Sequence, residues 1–259
     1  MTVNLRFVLP IVVLLFFVSC SDRTLSEETI GQLNAENEVH DWKTFIDETD
    51  AQLDINGERF ESLVFTSKSQ EIKSIYWYRN DTLIVIRQQV REIPSNIQHE
   101  ISYYFGKRGL QLVQELVDVP VANEEMESTE YLTLYQKGQP VKTWMNKLYG
   151  SFADPLQYKE TTLRSDDYTW SHQMFSLEGD FALTFDDFLV NDQDIYLLVE
   201  TVSKEPYIAA LKVEKLDGFL SELYFNKDKY KNRPLQIEYQ VVNDQGWIFS
   251  YYKSGKFKE

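Results

Sequence analysis

The sequence predicts a mainly β, α+β protein: an N-terminal helix packed on an antiparallel meander sheet, then a small five-stranded barrel carrying one short helix. Three observations predict it. From residue 60 onward the hydrophobic period falls from helical to two. The segments so defined are rich in β-branched and aromatic residues and are separated by short polar turns. Only two stretches, at 38–52 and just after Asp217, keep apolar residues at helical spacing.

The first element is an expected export signal, residues 1–19. Arg6 supplies the positive start, 7–18 is an uncharged run interrupted by Pro10, and Ser19 is small. Such a run is too short to span a bilayer core, which takes about 20 residues of helix. The string Phe17-Val18-Ser19-Cys20 resembles the lipobox of bacterial lipoproteins, with Phe17 where leucine is commoner. The resemblance implies a lipid-modified Cys20 as first residue of the mature chain. Two or three acyl chains, each contributing about 0.8 kcal/mol per buried methylene, anchor such a chain without spanning the membrane. The expected location is the cell envelope, on the outer membrane facing the periplasm. Surface exposure is the alternative, although Ser21-Asp22-Arg23 is not an uninterrupted acidic run.

Residues 20–37 read as a polar tether. Asp41 then stands where a cap would start a helix at 38–52, with Trp42, Phe45 and Ile46 on one face. Alternatively, the end of the tether extends that helix. The meander follows, its strands expected at 60–67, 72–79, 82–90, 99–105, 110–117, 131–136 and 141–148. Asn80-Asp81, the glycine turn at 106–109 and Lys137-Gly138 are short enough to join antiparallel neighbours. Leu132 and Leu134 alternate with Tyr131, Thr133 and Tyr135, which predicts one buried and one wet face. The tyrosine-rich strand, turn and return strand resemble small sheet domains of uncharacterised exported proteins, a resemblance that implies no activity. Together, 38–149 form the first expected domain, and 150–177 breaks the rhythm as a connector.

The last expected domain is 178–256. Strands at 181–188, 195–202 and 207–215 precede a helix capped by Asp217, in which Phe219, Leu220, Leu223 and Tyr224 alternate about two faces. A basic turn at 227–233 leads to strands at 235–241 and 247–252. Three strands, a helix and a hairpin make the element order of the OB-fold, and KYKNRPLQIEYQVVNDQGW resembles small barrel domains of exported proteins. An OB-like barrel implies a ligand face on its second and third strands, here 195–215.

Composition limits the function. At 43% hydrophobic residues, a chain of about 240 residues after the leader builds a core. A net charge of −15 repels phosphate backbones, and Glu200, Glu205 and Glu214 offset Lys204, Lys212 and Lys215 on the expected barrel face, so nucleic acid is not an expected partner. Acylation of Cys20 uses the only thiol, leaving no disulfide, zinc-thiolate site or cysteine nucleophile. His40, His99 and His172 stand at no metal-ligand spacing, and G-x-S-x-G, H-E-x-x-H, phosphate-loop and EF-hand patterns are absent. Asp186-Asp187 and Asp192-x-Asp194 suit calcium by their oxygens, yet aspartates in turns ordinarily bond their own backbone. No catalytic residue, metal or cofactor is therefore expected.

One surface remains as a candidate. Tyr76, Tyr78, Tyr103 and Tyr104, with Tyr131 and Tyr135, form an expected stripe on the outer face of the first sheet, where tyrosines stack on sugars or anchor proteins. Cross-strand aromatic pairs also stabilise sheets without binding anything. The expected function is thus a lipid-anchored, non-enzymatic binding or structural protein of the bacterial envelope, its partner an envelope protein or glycan. The alternatives are a hydrolase of envelope glycans, which needs two carboxylates across a cleft, and an acidic inhibitor or immunity-type protein masking a basic partner.

Overall fold

A 22-residue helix, α1 (Ala35–Asn56), opens the described part of the chain. The computed structural model describes residues 35–121, 126–148, 158–166, 168–191, 194–244 and 247–258. The export signal, Cys20 and the tether lie outside them. Val39, Trp42, Ile46 and Leu53 are the buried stripe of α1. The helix starts before residue 38, so Asp41 sits exposed inside it rather than at a cap. The alternative reading, in which the tether's end extends the helix, is the one observed.

Among the described residues, fourteen strands then form a single sheet. The expected strand at 60–67 is two strands, β1 (Glu58–Glu61) and β2 (Phe65–Thr66), both paired with β3 (Gln70–Arg79). Ser62 causes the break: its Oγ takes the Ser74 N–H at 2.9 Å, and Leu63 beside it turns into the core with no exposed surface. The meander continues through β4 (Thr82–Glu92), β5 (Gln98–Gly106), β6 (Gly109–Pro120), β7 (Met126–Gln136), β8 (Gln139–Leu148) and the short edge strand β9 (Lys159–Glu160). Asn80, Asp81, Lys137 and Gly138 all have positive φ, the geometry of two-residue hairpin turns that match the strand twist. The three hairpins with two-residue turns, β3–β4, β5–β6 and β7–β8, each carry a bulge within a few residues of the turn.

Helix α1 lies across one face of this sheet. Ion pairs mark its path from β8 to β4: Lys142 to Glu38 at 2.8 Å, Lys43 to Glu130 at 2.8 Å and Arg87 to Asp50 at 3.0 Å. The opposite face is not wet. Thr133 and Tyr135 are as buried as Leu132 and Leu134, because residues 164–166, Tyr168 and helix α2 (Thr169–Ser176) cover it. Arg164 stacks 4.1 Å from the Tyr131 ring centre, the Asp166 N–H donates to the Tyr135 hydroxyl at 2.9 Å, and Tyr168 packs on Tyr103 and Phe105. Alternation along one strand cannot reveal a cover supplied thirty residues later.

The remaining strands close into a barrel. β10 (Leu183–Asn191), β11 (Asp194–Thr201) and β12 (Ile208–Val213) pair antiparallel in turn. Helix α3 (Gly218–Phe225) and the single turn α4 (Lys227–Tyr230) lead into the hairpin of β13 (Pro234–Asp244) and β14 (Trp247–Phe257). β14 runs parallel to β12, and β13 closes on β10 through Leu235 and Pro234. The order β10-β11-β12-β14-β13 is a closed five-stranded barrel of the OB-like kind. Asp217 caps α3 as its sequence position predicts, accepting the Leu220 N–H at 2.7 Å and the Tyr252 hydroxyl at 2.9 Å. Phe185, Leu197, Val199, Leu211, Leu220 and Leu223 fill the barrel, and the same core takes in Leu63, Phe65 and Ile72 from the meander and Met174 from α2. Sheet and core are continuous because Thr66 of β2 pairs with Ile208 of β12.

Candidate binding groove

Two strand edges and the end of a helix enclose a groove of about 680 Å³. One wall is Arg59, Phe60 and Glu61 of β1, the other is β13 from Leu235 to Val241, and Phe175 to Glu178 close it from α2. The break at Ser62 sets the first wall, since it ends β1 there and turns the chain away. The second wall exists because β13 pairs with β10 only at its first two residues. The Tyr239 hydroxyl reaches across to the Glu61 carbonyl at 3.4 Å. Burial pushes the Tyr239 hydroxyl up to about 12, so it remains a donor near neutral pH.

Phe60 and Phe175 are the apolar surface of the groove. They are 46% and 37% exposed, and their ring centres lie 6.3 Å apart. The two rings leave apolar surface open to solvent inside the groove. Charge sits around them. Arg59 pairs with Glu61 at 2.5 Å, Glu238 accepts the Ser254 hydroxyl at 2.7 Å, and Glu178 and Lys258 complete the rim.

The four tyrosines expected to share an outer stripe are divided by the structure. Tyr76 and Tyr78 lie directly behind the groove, packed on Phe175 at 4.7 and 6.2 Å, and Tyr78 also touches Phe60 at 5.7 Å. Tyr76 is 1% exposed and donates its hydroxyl hydrogen to the Ser171 carbonyl. Tyr103 shares that face but is covered by Tyr168. Tyr104 belongs to the other face, under α1, where Phe45 packs on it and Asp50 and Gln114 lie 3.5 and 3.3 Å from its hydroxyl. Consecutive residues of a strand point to opposite faces, so Tyr103 and Tyr104 never shared a surface.

The other candidates are tied up in ion pairs. Asp186 meets Lys231 at 3.2 Å, Asp187 meets Lys227 at 3.0 Å and Asp194 meets Lys212 at 2.9 Å, while Asp192 lies outside the described residues. No group of three metal-ligating side chains occurs among the described residues. On the expected barrel face, Tyr196, Lys212 and Tyr251 form one row across three strands. His40 and His172 are exposed. His99 has a partner that spacing did not suggest: its Nδ1 lies 3.1 Å from Oε1 of Glu115, a carboxylate that Arg164 also grips. That hydrogen bond raises the imidazole pKa above its ordinary value against the opposing effect of burial.

The chain matches no protein-family model, no curated protein and no solved structure.

Sequence reasoning missed Phe60 and Phe175. Phe175 stood in a segment without periodicity and Phe60 at the head of an ordinary strand. Neither carries a local signal, because exposure of a large ring is a tertiary property.

Proposed function

We propose that this is a lipid-anchored, non-enzymatic binding protein of the bacterial cell envelope. In this reading acyl chains on Cys20 hold it at the outer membrane, and the groove between β1 and β13 takes its ligand. The observation that carries the binding role is the pair of exposed rings, Phe60 and Phe175, in a groove of about 680 Å³. The Phe-Val-Ser-Cys string supports the anchor. The test follows a tagged protein in a bacterial host supplied with an alkyne-labelled fatty acid. Wild type takes up label and fractionates with the membrane; Cys20→Ser loses both. In detergent extracts, wild type enriches an envelope component that Phe60→Arg and Phe175→Arg do not. A Cys20→Ser protein that stays labelled overturns the anchor, and equal enrichment by all three proteins overturns the groove.

A second reading has one observation in its favour. Glu61, Glu178 and Glu238 stand around the same aromatic-lined groove, the setting in which a glycan hydrolase places its two carboxylates. Release of reducing ends from purified envelope glycans, abolished by Glu→Gln changes at these positions, would replace the binding role. No release leaves the binding reading in place.

A further inference from the structure

We infer that the occupant of this groove is an extended peptide that pairs with β13 as an added strand, an inference that rests on the groove being the ligand site. The lining itself points there. Seven consecutive residues of β13 and three of β1 line the groove. Successive side chains of a strand face opposite ways, so a groove lying over one face would meet only alternate residues. This groove therefore runs along the backbone edges.

Neither edge has a second partner strand, although the Tyr239 hydroxyl crosses between them to the Glu61 carbonyl at the end of β1. β1 pairs with β3 alone, and beyond Leu235 no strand among the described residues pairs with the side of β13 away from β14. Unpaired N–H and C=O groups in a row are a template for another strand. Native chains usually blunt such an edge with charge, proline, a bulge or a covering element, and β13 carries one bulge, at Glu238–Tyr239. Here the one proline, Pro234, stands at the first position of β13, already against β10. The outward residues Gln236, Glu238 and Gln240 are exposed and carry a single charge.

The recess decides between possible strands. A second copy of the chain would have to bring a flat edge against β13, and β1 with the end of α2 stands in its way. A single peptide fits between them and bonds to one or both edges. The six groove-lining residues of β13 beyond Leu235, at about 3.3 Å each, make a pairing edge of about 20 Å. Charge narrows the class further. Glu178 and Glu238 are exposed and form no ion pair among the described residues, Arg59 is engaged by Glu61, and Lys258 alone offsets them on the rim, which leaves it net acidic. The fitting ligand is an extended peptide with alternating small apolar residues, for Phe60 and Phe175, and a basic residue beside them. Backbone hydrogen bonds supply affinity in this mode, and side-chain pockets supply selectivity.

The test uses the full-length protein in detergent and a fluorescent peptide of sequence KVTITVK. Two analogues carry N-methyl groups on alternate residues, one set for each edge, with side chains unchanged. Expected results are saturable binding of the parent peptide, a loss of at least tenfold for one or both analogues, and slowed amide exchange confined to residues 236–241. Binding weakens severalfold from 50 to 500 mM NaCl, and Glu238→Lys weakens it at low salt. Parent and both analogues binding equally, or no binding by any, overturns the inference. Nile red separates the two levels. If the peptides fail while Nile red emission rises with wild type and not with Phe60→Arg, the groove remains a ligand site and only the peptide falls. If the dye is also indifferent to Phe60→Arg, both fall. Circular dichroism of Phe60→Arg establishes that the variant is folded.

Discussion

The ammonium of Lys43 on α1 lies 2.8 Å from Oε1 of Glu130 on β7, across 87 positions of sequence. The same carboxylate accepts Gln114 Nε2 at 2.5 Å and the Tyr158 hydroxyl, with only 5% of its side chain exposed. Helix, sheet and the chain after β8 thus meet on one buried charge. Removing its cation leaves two donors in place, whereas removing the carboxylate strands three. Lys43→Ala should cost about 1 kcal/mol, and Glu130→Ala about 3 kcal/mol, in the range for breaking a buried charged network. Urea unfolding followed by tryptophan fluorescence measures both, with Trp42 on α1 as one reporter.

His99 makes stability depend on pH. Its hydrogen bond to Glu115 raises its folded-state pKa above the ordinary 6.5, with Glu92 adding to the effect and burial opposing it. Arg164, held against the same Glu115, is the competing cation. A raised pKa means the folded state binds the proton more tightly. The contribution is therefore full below about pH 6.5 and fades as pH rises through the folded value. Wild type should lose stability relative to His99→Asn as pH rises above about 6.5, seen as converging urea midpoints. Midpoints that stay parallel across that range would exclude the coupling.

Tyr76→Phe tests the attachment of α2. The lost hydroxyl leaves the Ser171 carbonyl without its donor in a site with almost no solvent, at a cost of about 1 kcal/mol. The ring stays, so its packing on Phe175 survives. Amide exchange should quicken across residues 169–176 with little change in β5 and β6. An even increase through the whole chain would mean the bond is not local to α2.

Gly109 opens β6 with φ at +102°, and a β-carbon there would meet no atom within 4 Å. Gly109→Ala therefore costs backbone strain alone, about 1–2 kcal/mol. The midpoint of thermal unfolding should fall while the near-UV spectrum of the folded state is unchanged. A loss of tertiary signal at room temperature would point to a packing role instead.

Much of the fold was legible because its signals are local. Period-two runs of Ile, Val, Tyr and Thr marked the strands, Asn80-Asp81 and Lys137-Gly138 marked the turns, and Asp217 marked the start of α3. The start of α1 was misjudged because Asp41 is a good cap residue, while burial of Glu38 and Val39 against the sheet holds the helix open further back. The tyrosine stripe differs from the expectation because the cover of its face comes from residues 164–166 and 168–176, remote in sequence. The groove had no local trace at all.

By itself the sequence determined the long strands of the meander, the order of elements in the barrel, the polar turns between them and the apolar run that precedes Cys20. Each depends on neighbours within a few residues: backbone propensity, side-chain period and turn chemistry. Only the tertiary structure decided which strands meet. β12 lies parallel to β14, Thr66 joins the meander to the barrel through Ile208, and β13 leaves β10 after Leu235 to keep an edge open toward β1. Those pairings follow from burying Leu63, Phe65, Ile72 and Met174 in the same core as Phe185 and Leu211. Burial is summed over residues far apart in the chain, and no stretch of sequence carries that sum.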